Sequence, residues 1–270
     1  MNRSFWHGRH TLITGGTSGI GLTAVRLLAA AGARVTAVGL ADDLARRLAA
    51  ERIDGVLVAC ADVRNEGQLH EAFEQGRERF GSIRSLICCA GIVRPGYFNE
   101  LSAEEHRRHM DVNYFGVLYA VRDAVADLTA VSGGTITCMS SAAGLLGVFG
   151  YSAYCPTKFA ISGLCEVLRQ ELKPKGVTVT TVYPPDVDTP MLAGETPLKP
   201  PELRALSSGE NPLSAERVAR ELIAATETGQ ARLLPGAGTR LIGLAAGAAP
   251  GLLARYMDNR IARAQRAANP

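Results

Sequence analysis

The chain has 270 residues, 47% of them apolar and 20% charged, with a formal net charge of +3 and a mean hydropathy of +0.07. That is ample material for a packed core, which excludes a disordered or fibrous protein. Lysines and arginines are interspersed with acids, so no nucleic-acid footprint is present.

Residues 10–13 predict a short apolar strand running into Thr14-Gly-Gly-Thr-Ser-Gly-Ile-Gly21 and then a helix-like LTAVRLLAAAG. Strand, glycine-rich turn and helix form the context in which such a loop binds phosphate. Glycines let the backbone turn tightly and approach a pyrophosphate, which sits at the positive end of the helix. Gly15, Thr17, Ser18, Gly19, Ile20 and Gly21 are therefore candidate cofactor residues, with glycines spaced G-x-x-x-G-x-G.

A second strand over 33–38 ends at Gly39-Leu40-Ala41-Asp42-Asp43. An acid there would bond a ribose 2′-hydroxyl and an arginine would hold a 2′-phosphate. Neither stands at the expected spot, so NADPH and NADH both remain open. Asp42 and Asp43 fit as caps of the next helix. After a third strand at 55–59, Asp62-Val63 supplies either a carboxylate for an adenine amine or the N-cap of a helix over 66–80. A fourth strand over 84–89 ends in Cys88-Cys89-Ala90-Gly91, where small residues leave room for a flat ligand.

Ser102 and Glu105 form a capping box opening a long helix. Asn113 lies inside it, either as a buried hydrogen-bonder that distorts the turn or as an orderer of water near the site. A fifth strand over 134–139 leads into Ser140-Ser141. Tyr154 and Lys158 are four residues apart and share one helix face. A phenol is a poor acid at neutral pH, and a neighbouring ammonium draws its pKa toward the working range. A serine hydroxyl opposite could share the charge on a substrate oxygen. Ser141, Tyr154 and Lys158 thus form an acid–base constellation.

A sixth strand over 177–182 precedes a breaker-rich stretch, 184–212, expected to be a loop serving as a substrate lid. A helix over 214–228, a short strand over 231–234 and a helical extension over 238–270 complete the chain. Leu145, Leu146, Val148, Phe149 and Tyr151, with Met191, Leu192, Leu198, Leu203 and Leu206, read as an apolar mouth for an alkyl chain or as ordinary core.

Six cysteines (Cys60, Cys88, Cys89, Cys138, Cys155 and Cys165) lack C-x-x-C spacing and read as buried reduced thiols of a cytoplasmic protein, with no metal site. The first ten residues lack the apolar core of a signal peptide. The longest apolar run, 241–254, has fourteen residues interrupted by glycine and proline, too short for a bilayer span. It implies peripheral membrane contact at most, or a buried or dimer-facing segment. Strands alternate with helices throughout, without repeats or a composition break. The expectation is a single α/β domain over 1–270, a doubly wound Rossmann fold whose parallel sheet of about seven strands carries helices on both faces.

The motifs TGGTSGIG at 14–21, Asp62-Val63, CCAG at 88–91, Asn113, Ser141 and YCPTK at 154–158 together resemble the classical short-chain dehydrogenase/reductase family, over about 14–228. The resemblance implies hydride transfer between NADPH or NADH and a small-molecule ketone or alcohol. It makes Tyr154 the proton donor, Lys158 the holder of the nicotinamide ribose, Ser141 the partner of the substrate oxygen and Asn113 the holder of a water relay. Ala90, Gly91, Val187 and Thr189 would contact the cofactor, and the protein would be a homodimer or homotetramer. YPPDVDTP and the KPPE after it are similar to the subgroup that reduces the 3-keto group of 3-ketodihydrosphingosine, a lipid-like substrate. A 3-oxoacyl thioester, steroid or natural-product ketone is the alternative within the family. A non-catalytic nucleotide-binding protein is the alternative outside it, and retention of the full constellation argues against that reading.

Overall fold

The computed structural model describes residues 1–207 and 211–268. Strands β1 (His10–Thr14), β2 (Arg34–Gly39), β3 (Val56–Cys60), β4 (Ser85–Cys88), β5 (Thr135–Met139) and β6 (Thr178–Val182) match their expected places to within a residue or two. A separate two-strand ribbon of β7 (Val187–Asp188) and β8 (Leu213–Ser214) follows, then β9 (Arg232–Leu233). The main sheet has seven strands in the order β3-β2-β1-β4-β5-β6-β9, all parallel. The order reverses between β1 and β4, where a crevice opens beyond the carboxyl ends of a doubly wound sheet.

The helices are α1 (Arg3–Trp6), α2 (Gly19–Ala30), α3 (Asp43–Ala50), α4 (Glu66–Phe80), α5 (Ala103–Met110), α6 (Gly116–Ala130), α7 (Cys155–Leu172), α8 (Pro190–Glu195), α9 (Pro201–Ser207), α10 (Ala215–Thr228), α11 (Ala237–Ala248) and α12 (Pro250–Ala268). Successive strand side chains point to opposite faces, so the core has two layers. Leu12, Leu86 and Ile136 pack with Phe73 of α4, Val121 of α6 and Ile161 of α7. Ile13 and Ile87 pack on the other face with Val25 of α2, Leu48 of α3 and Leu222 of α10. Trp6, fully buried, joins that second layer and donates its indole N–H to Glu227 Oε1 at 2.6 Å.

Three local expectations change. Asn65, not Asp62, caps α4, its side chain accepting from the Gln68 amide at 3.1 Å. Asp62 instead accepts from the Arg64 amide and guanidinium. Cys60 is exposed at the end of β3, on the edge of the sheet, while the other five free thiols are buried or half-buried. The stretch 184–212 is not one loop: it holds β7, α8, a 3₁₀ turn at Thr196–Leu198 and α9, with 208–210 outside the described residues. Its prolines start helices instead of breaking them, because the missing N–H of Pro190 and Pro201 falls in the first turn. Residues 238–270 form most of α11 and α12, with 269–270 likewise outside the described residues. Asp42 caps α3 as expected, accepting from the Ala45 amide at 3.0 Å.

The turn after β1 depends on one close approach. A Cβ on Gly21 would lie 2.2 Å from the carbonyl oxygen of Gly15, which is backbone and has nowhere to move. Gly21→Ala is expected to cost about 2 kcal/mol of stability, measured by urea unfolding. An unchanged midpoint would mean that the loop relaxes without cost.

Candidate active site

The crevice of about 210 Å³ beyond the strand ends is lined by the loops after β1, β4, β5 and β6, with the start of α7 and with α8. The loop after β1 presses against the loop after β4. The Cys89 amide donates to Thr14 O at 2.9 Å, and a Cβ on Gly15 (φ +69°) would meet the Ala90 amide at 2.6 Å. Ser18, at the head of α2, makes no side-chain capping bond. The first amides of that helix stay available to an anion, and the glycine cradle leaves no Cβ in its way. Residues and geometry thus fit the pyrophosphate of a dinucleotide.

Ser141 follows β5 and caps a 3₁₀ turn, its Oγ accepting from the Ala143 amide at 3.1 Å while hydrogen-bonded to the Tyr154 phenol. Tyr154 sits at the N-cap of α7. One turn on, Lys158 is only 3% exposed. Its Nζ donates to Met139 O at 2.9 Å and lies 5.4 Å from the centre of the Tyr154 ring. Ser140 Oγ donates to Lys158 O at 2.9 Å, fastening the first turn of α7 to the end of β5.

Asn113 lies behind this group. It is wholly buried in a π-helical turn, Asp111–Phe115, between α5 and α6. Its Oδ1 accepts from the Ile92 amide at 2.8 Å, and its Nδ2 donates to Ile92 O and to Thr157 Oγ1, both at 3.0 Å. Thr157 Oγ1 in turn donates to Tyr154 O at 2.7 Å. Of the two readings of Asn113, the buried hydrogen-bonder is what the side chain does. Both amide hydrogens are used, leaving only the second lone pair of Oδ1 for a water.

Burial pushes the Tyr154 phenol above its ordinary value. The Ser141 bond pulls it down, while the carboxylates of Glu195 and Asp186 push it up further. Burial lowers the Lys158 ammonium to about 8, against the raising influence of Cys89 and Cys138. Burial also pushes the Cys89 thiol up to about 12, so it lines the crevice as a protonated thiol.

The far wall carries a charged network that sequence reasoning missed. Tyr151 donates to Glu195 (3.1 Å to Oε2), and Lys199 Nζ lies 3.1 Å from Glu195 Oε1 and 3.0 Å from Asp186 Oδ2. Glu195 and Lys199 are nearly buried, and the Asp186 side chain is 41% exposed. Burial holds the Glu195 carboxyl above its ordinary range against the pull of Lys199. Burial opposes the Lys199 charge, but Glu195 and Asp186 outweigh it and raise that ammonium. Two carboxylates share one cation, so the wall is negative when all three are ionised. Asp186 was visible within YPPDVDTP, but nothing in the sequence signalled its meeting with Glu195 and Tyr151.

Of the residues singled out from the sequence, Gly15, Ser18, Gly19, Ile20, Gly21, Ala90, Gly91, Ser141, Tyr154, Lys158, Val187 and Thr189 all line this one crevice. Thr17 does not: it is buried against Gly39, where a Cβ would meet its methyl at 2.5 Å. Val63 packs on Gly116, and Asp62 lies in a shallow depression with Arg64, Asp111 and Tyr119. Of the expected apolar mouth, Tyr151, Met191 and Leu192 line the crevice, whereas Leu203 is core and Leu198 is half exposed.

The model of the short chain dehydrogenase family matches residues 9–199. The chain belongs to that family. As a short-chain dehydrogenase it is an NAD(P)-dependent oxidoreductase. It is 35% identical to a 3-ketodihydrosphingosine reductase of Dictyostelium discoideum, over 93% of this chain and 80% of that one. It is 36% identical to the 3-ketodihydrosphingosine reductase of Bos taurus, over 80% of this chain and 68% of that one. A short chain dehydrogenase from Burkholderia cenocepacia, solved in complex with NADP, shares the fold with a TM-score of 0.78, covering 95% of this chain and 99% of that one at 23% identity.

Two outcomes follow from this geometry. Thr157→Val leaves Asn113 Nδ2 without one of its two acceptors, and should cost about 1–3 kcal/mol in urea unfolding; no loss would remove Thr157 as a brace. The ε-methylene resonance of Lys158 should titrate near 8 in the protein alone, instead of near 10.5. Because the native chain holds this proton less tightly than the unfolded chain, the group opposes folding below about 8, and that opposition fades as pH rises toward 10.5. A midpoint near 10.5 would show that burial does not govern the ammonium.

Proposed function

We propose that this short-chain dehydrogenase reduces the 3-keto group of 3-ketodihydrosphingosine, or a closely similar long-chain amino ketone, to the secondary alcohol. The observation that carries the reading is its 35–36% identity, over most of the chain, to enzymes named for that reaction. The glycine cradle over 15–21 and the first amides of α2 would hold the cofactor pyrophosphate. Ala90, Gly91, Val187 and Thr189 would flank its nicotinamide end. When bound, the dihydronicotinamide supplies a hydride to the carbonyl carbon.

The chain's own residues handle the oxygen. Ser141 Oγ donates a hydrogen bond to the ketone oxygen, and the Tyr154 hydroxyl transfers its proton there as that oxygen becomes an alcohol. The Lys158 ammonium, buried beneath the ring, stabilises the phenolate left behind. Asn113 is a positioning residue: it fixes the 90–92 backbone and, through Thr157, the carbonyl of Tyr154.

The negative wall supports an amino ketone in particular. Asp186 and Glu195 line the same crevice as Tyr154, and their charge raises its phenol. An ammonium on the carbon next to the ketone would pair with them and offset that push, making the phenol a better acid when the right substrate is bound. Met191 and Leu192 offer an apolar start for the alkyl chain.

The test is oxidation of NADPH and of NADH with 3-ketodihydrosphingosine, its N-acetyl derivative and a short 3-oxoacyl thioester. Turnover should be fastest with the free amine, and Tyr154→Phe should abolish it while leaving cofactor binding intact. Fast turnover of the thioester alone would discard the substrate and keep the chemistry. Asp186→Asn should raise KM for the free amine about tenfold, equivalent to about 1.4 kcal/mol, and leave the N-acetyl ketone unaffected. Equal losses on both would take the wall out of amine recognition. Leu40, exposed at the end of β2, offers neither a carboxylate nor a guanidinium, and the Asp42 carboxylate is occupied as a cap. The two cofactors are therefore expected to differ in kcat/KM by no more than about tenfold, about 1.4 kcal/mol of discrimination.

A further inference from the structure

The C-terminal pair of helices leaves four large apolar side chains uncovered. One side of α11 packs inward: a Cβ on Gly243 would lie 2.5 Å from Leu234 Cδ2 and 3.6 Å from Leu145 Cδ1. The opposite side presents Leu241 and Leu244, 68% and 70% exposed. The two helices meet at Ala249, whose carbonyl accepts from the Leu252 amide at 3.1 Å. Helix α12 lies along α9, tied by Arg260 to Ala205 O and by Gln265 to Glu202. Its other face opens with Leu252 and Tyr256, 70% and 57% exposed, and continues at helical spacing through Arg255, Arg263 and Arg266.

Charge tells what this face fits. From 237 to 268 there are five arginines (Arg240, Arg255, Arg260, Arg263, Arg266) and a single acid, Asp258. That net charge of +4 exceeds the +3 of the whole chain, so the remainder of the molecule is net negative. Arg255, Arg263 and Arg266 make no ion pair among the described residues. Burying leucines with three unpaired guanidiniums against a second copy would desolvate like charges facing like. An anionic lipid surface avoids that penalty. Leucines enter the acyl boundary, the tyrosine ring sits at headgroup level, and arginine stems lie on apolar ground with their heads at the phosphates. No helix among the described residues is long and apolar enough to cross a membrane, so the contact is one of lying on the surface.

We propose that the α11–α12 elbow docks this protein on an anionic lipid bilayer, through Leu241, Leu244, Leu252 and Tyr256 with the flanking arginines. Docking would set Leu145, four residues after Ser141, close to the lipid, and a long-chain ketone could then enter without crossing water. That consequence, unlike the docking, rests on the lipid-ketone reading above.

The full chain should co-sediment with vesicles of phosphatidylcholine containing about one-third phosphatidylglycerol, bind pure phosphatidylcholine weakly, and be released by salt. The paired change Leu244→Asp with Leu252→Asp, and separately Arg255→Glu with Arg263→Glu, should each weaken binding at least about tenfold without altering the thermal unfolding curve. The second pair is exposed and keeps the test intact if the first pair impairs folding. Absence of vesicle binding, or wild-type binding by a folded variant pair, overturns the proposal. A leucine pair that dissociates an oligomer while still binding vesicles also overturns it, and assigns the face to a second copy. Vesicle binding is read without substrate, so its failure alongside intact sphingoid turnover removes the docking alone. Binding without turnover removes only the substrate reading.

Discussion

The buried amide of Asn113 is the constraint on which the site depends. It joins three pieces of chain that sequence separates widely: the loop after β4 through both polar groups of Ile92, the π-helical turn that carries Asn113 itself, and the first turn of α7 through Thr157. Asn113 and Thr157 are both fully buried, so the bond between them, once lost, is not replaced by solvent. The π-helical turn departs from the regular ladder where the asparagine must reach sideways. Local irregularity and tertiary anchoring are one feature, and Tyr154 inherits its position from it.

Electrostatics divide the crevice lengthwise. At one end, backbone amides and glycines make an anion cradle with no formal charge. In the middle, Lys158 is the buried cation, its ammonium lowered to about 8 by burial. At the far wall, Asp186 and Glu195 share Lys199 and leave negative charge facing the reacting centre. The wall raises the Tyr154 phenol, as burial does, and a cationic group placed there would offset that push.

The segment after β6 and the C-terminal helices form a second tier around that wall. Tyr97 donates to Glu202 of α9 at 3.0 Å, Gln265 of α12 reaches the other oxygen of the same carboxylate, and Leu203 packs on Tyr151 and Cys155. Helix α9 is thus braced on both sides, by Tyr97 and by α12. Its anchors are carboxylates and aromatic rings, each with a named partner.

Much of this was legible in the sequence. Short apolar runs alternating with helix-like stretches mark six strands and their order along the chain. The glycine loop and the pairing of Tyr154 with Lys158 follow from local spacing, because each depends on residues within one turn of one another. Capping by Asp42 and Ser102 is equally local. The stretch 184–212 misled because proline marks both a loop and the first turn of a helix, and only packing of Leu203 and Glu202 decides between them. Of the two readings of Asp62, the capping one fails because Asn65, three residues on, takes that role.

By itself, then, the sequence determined the alternation of elements, the parallel sheet and the chemistry available at the strand ends, since these arise from interactions between neighbours in the chain. Tertiary structure alone decided which distant groups meet: Asn113 with Thr157, Tyr151 with Glu195, Lys199 with both Glu195 and Asp186. It also decided that Lys158 is buried and that Leu244 and Leu252 are not. Burial and long-range charge depend on how layers stack, and no local pattern of residues encodes the environment that the stacking creates.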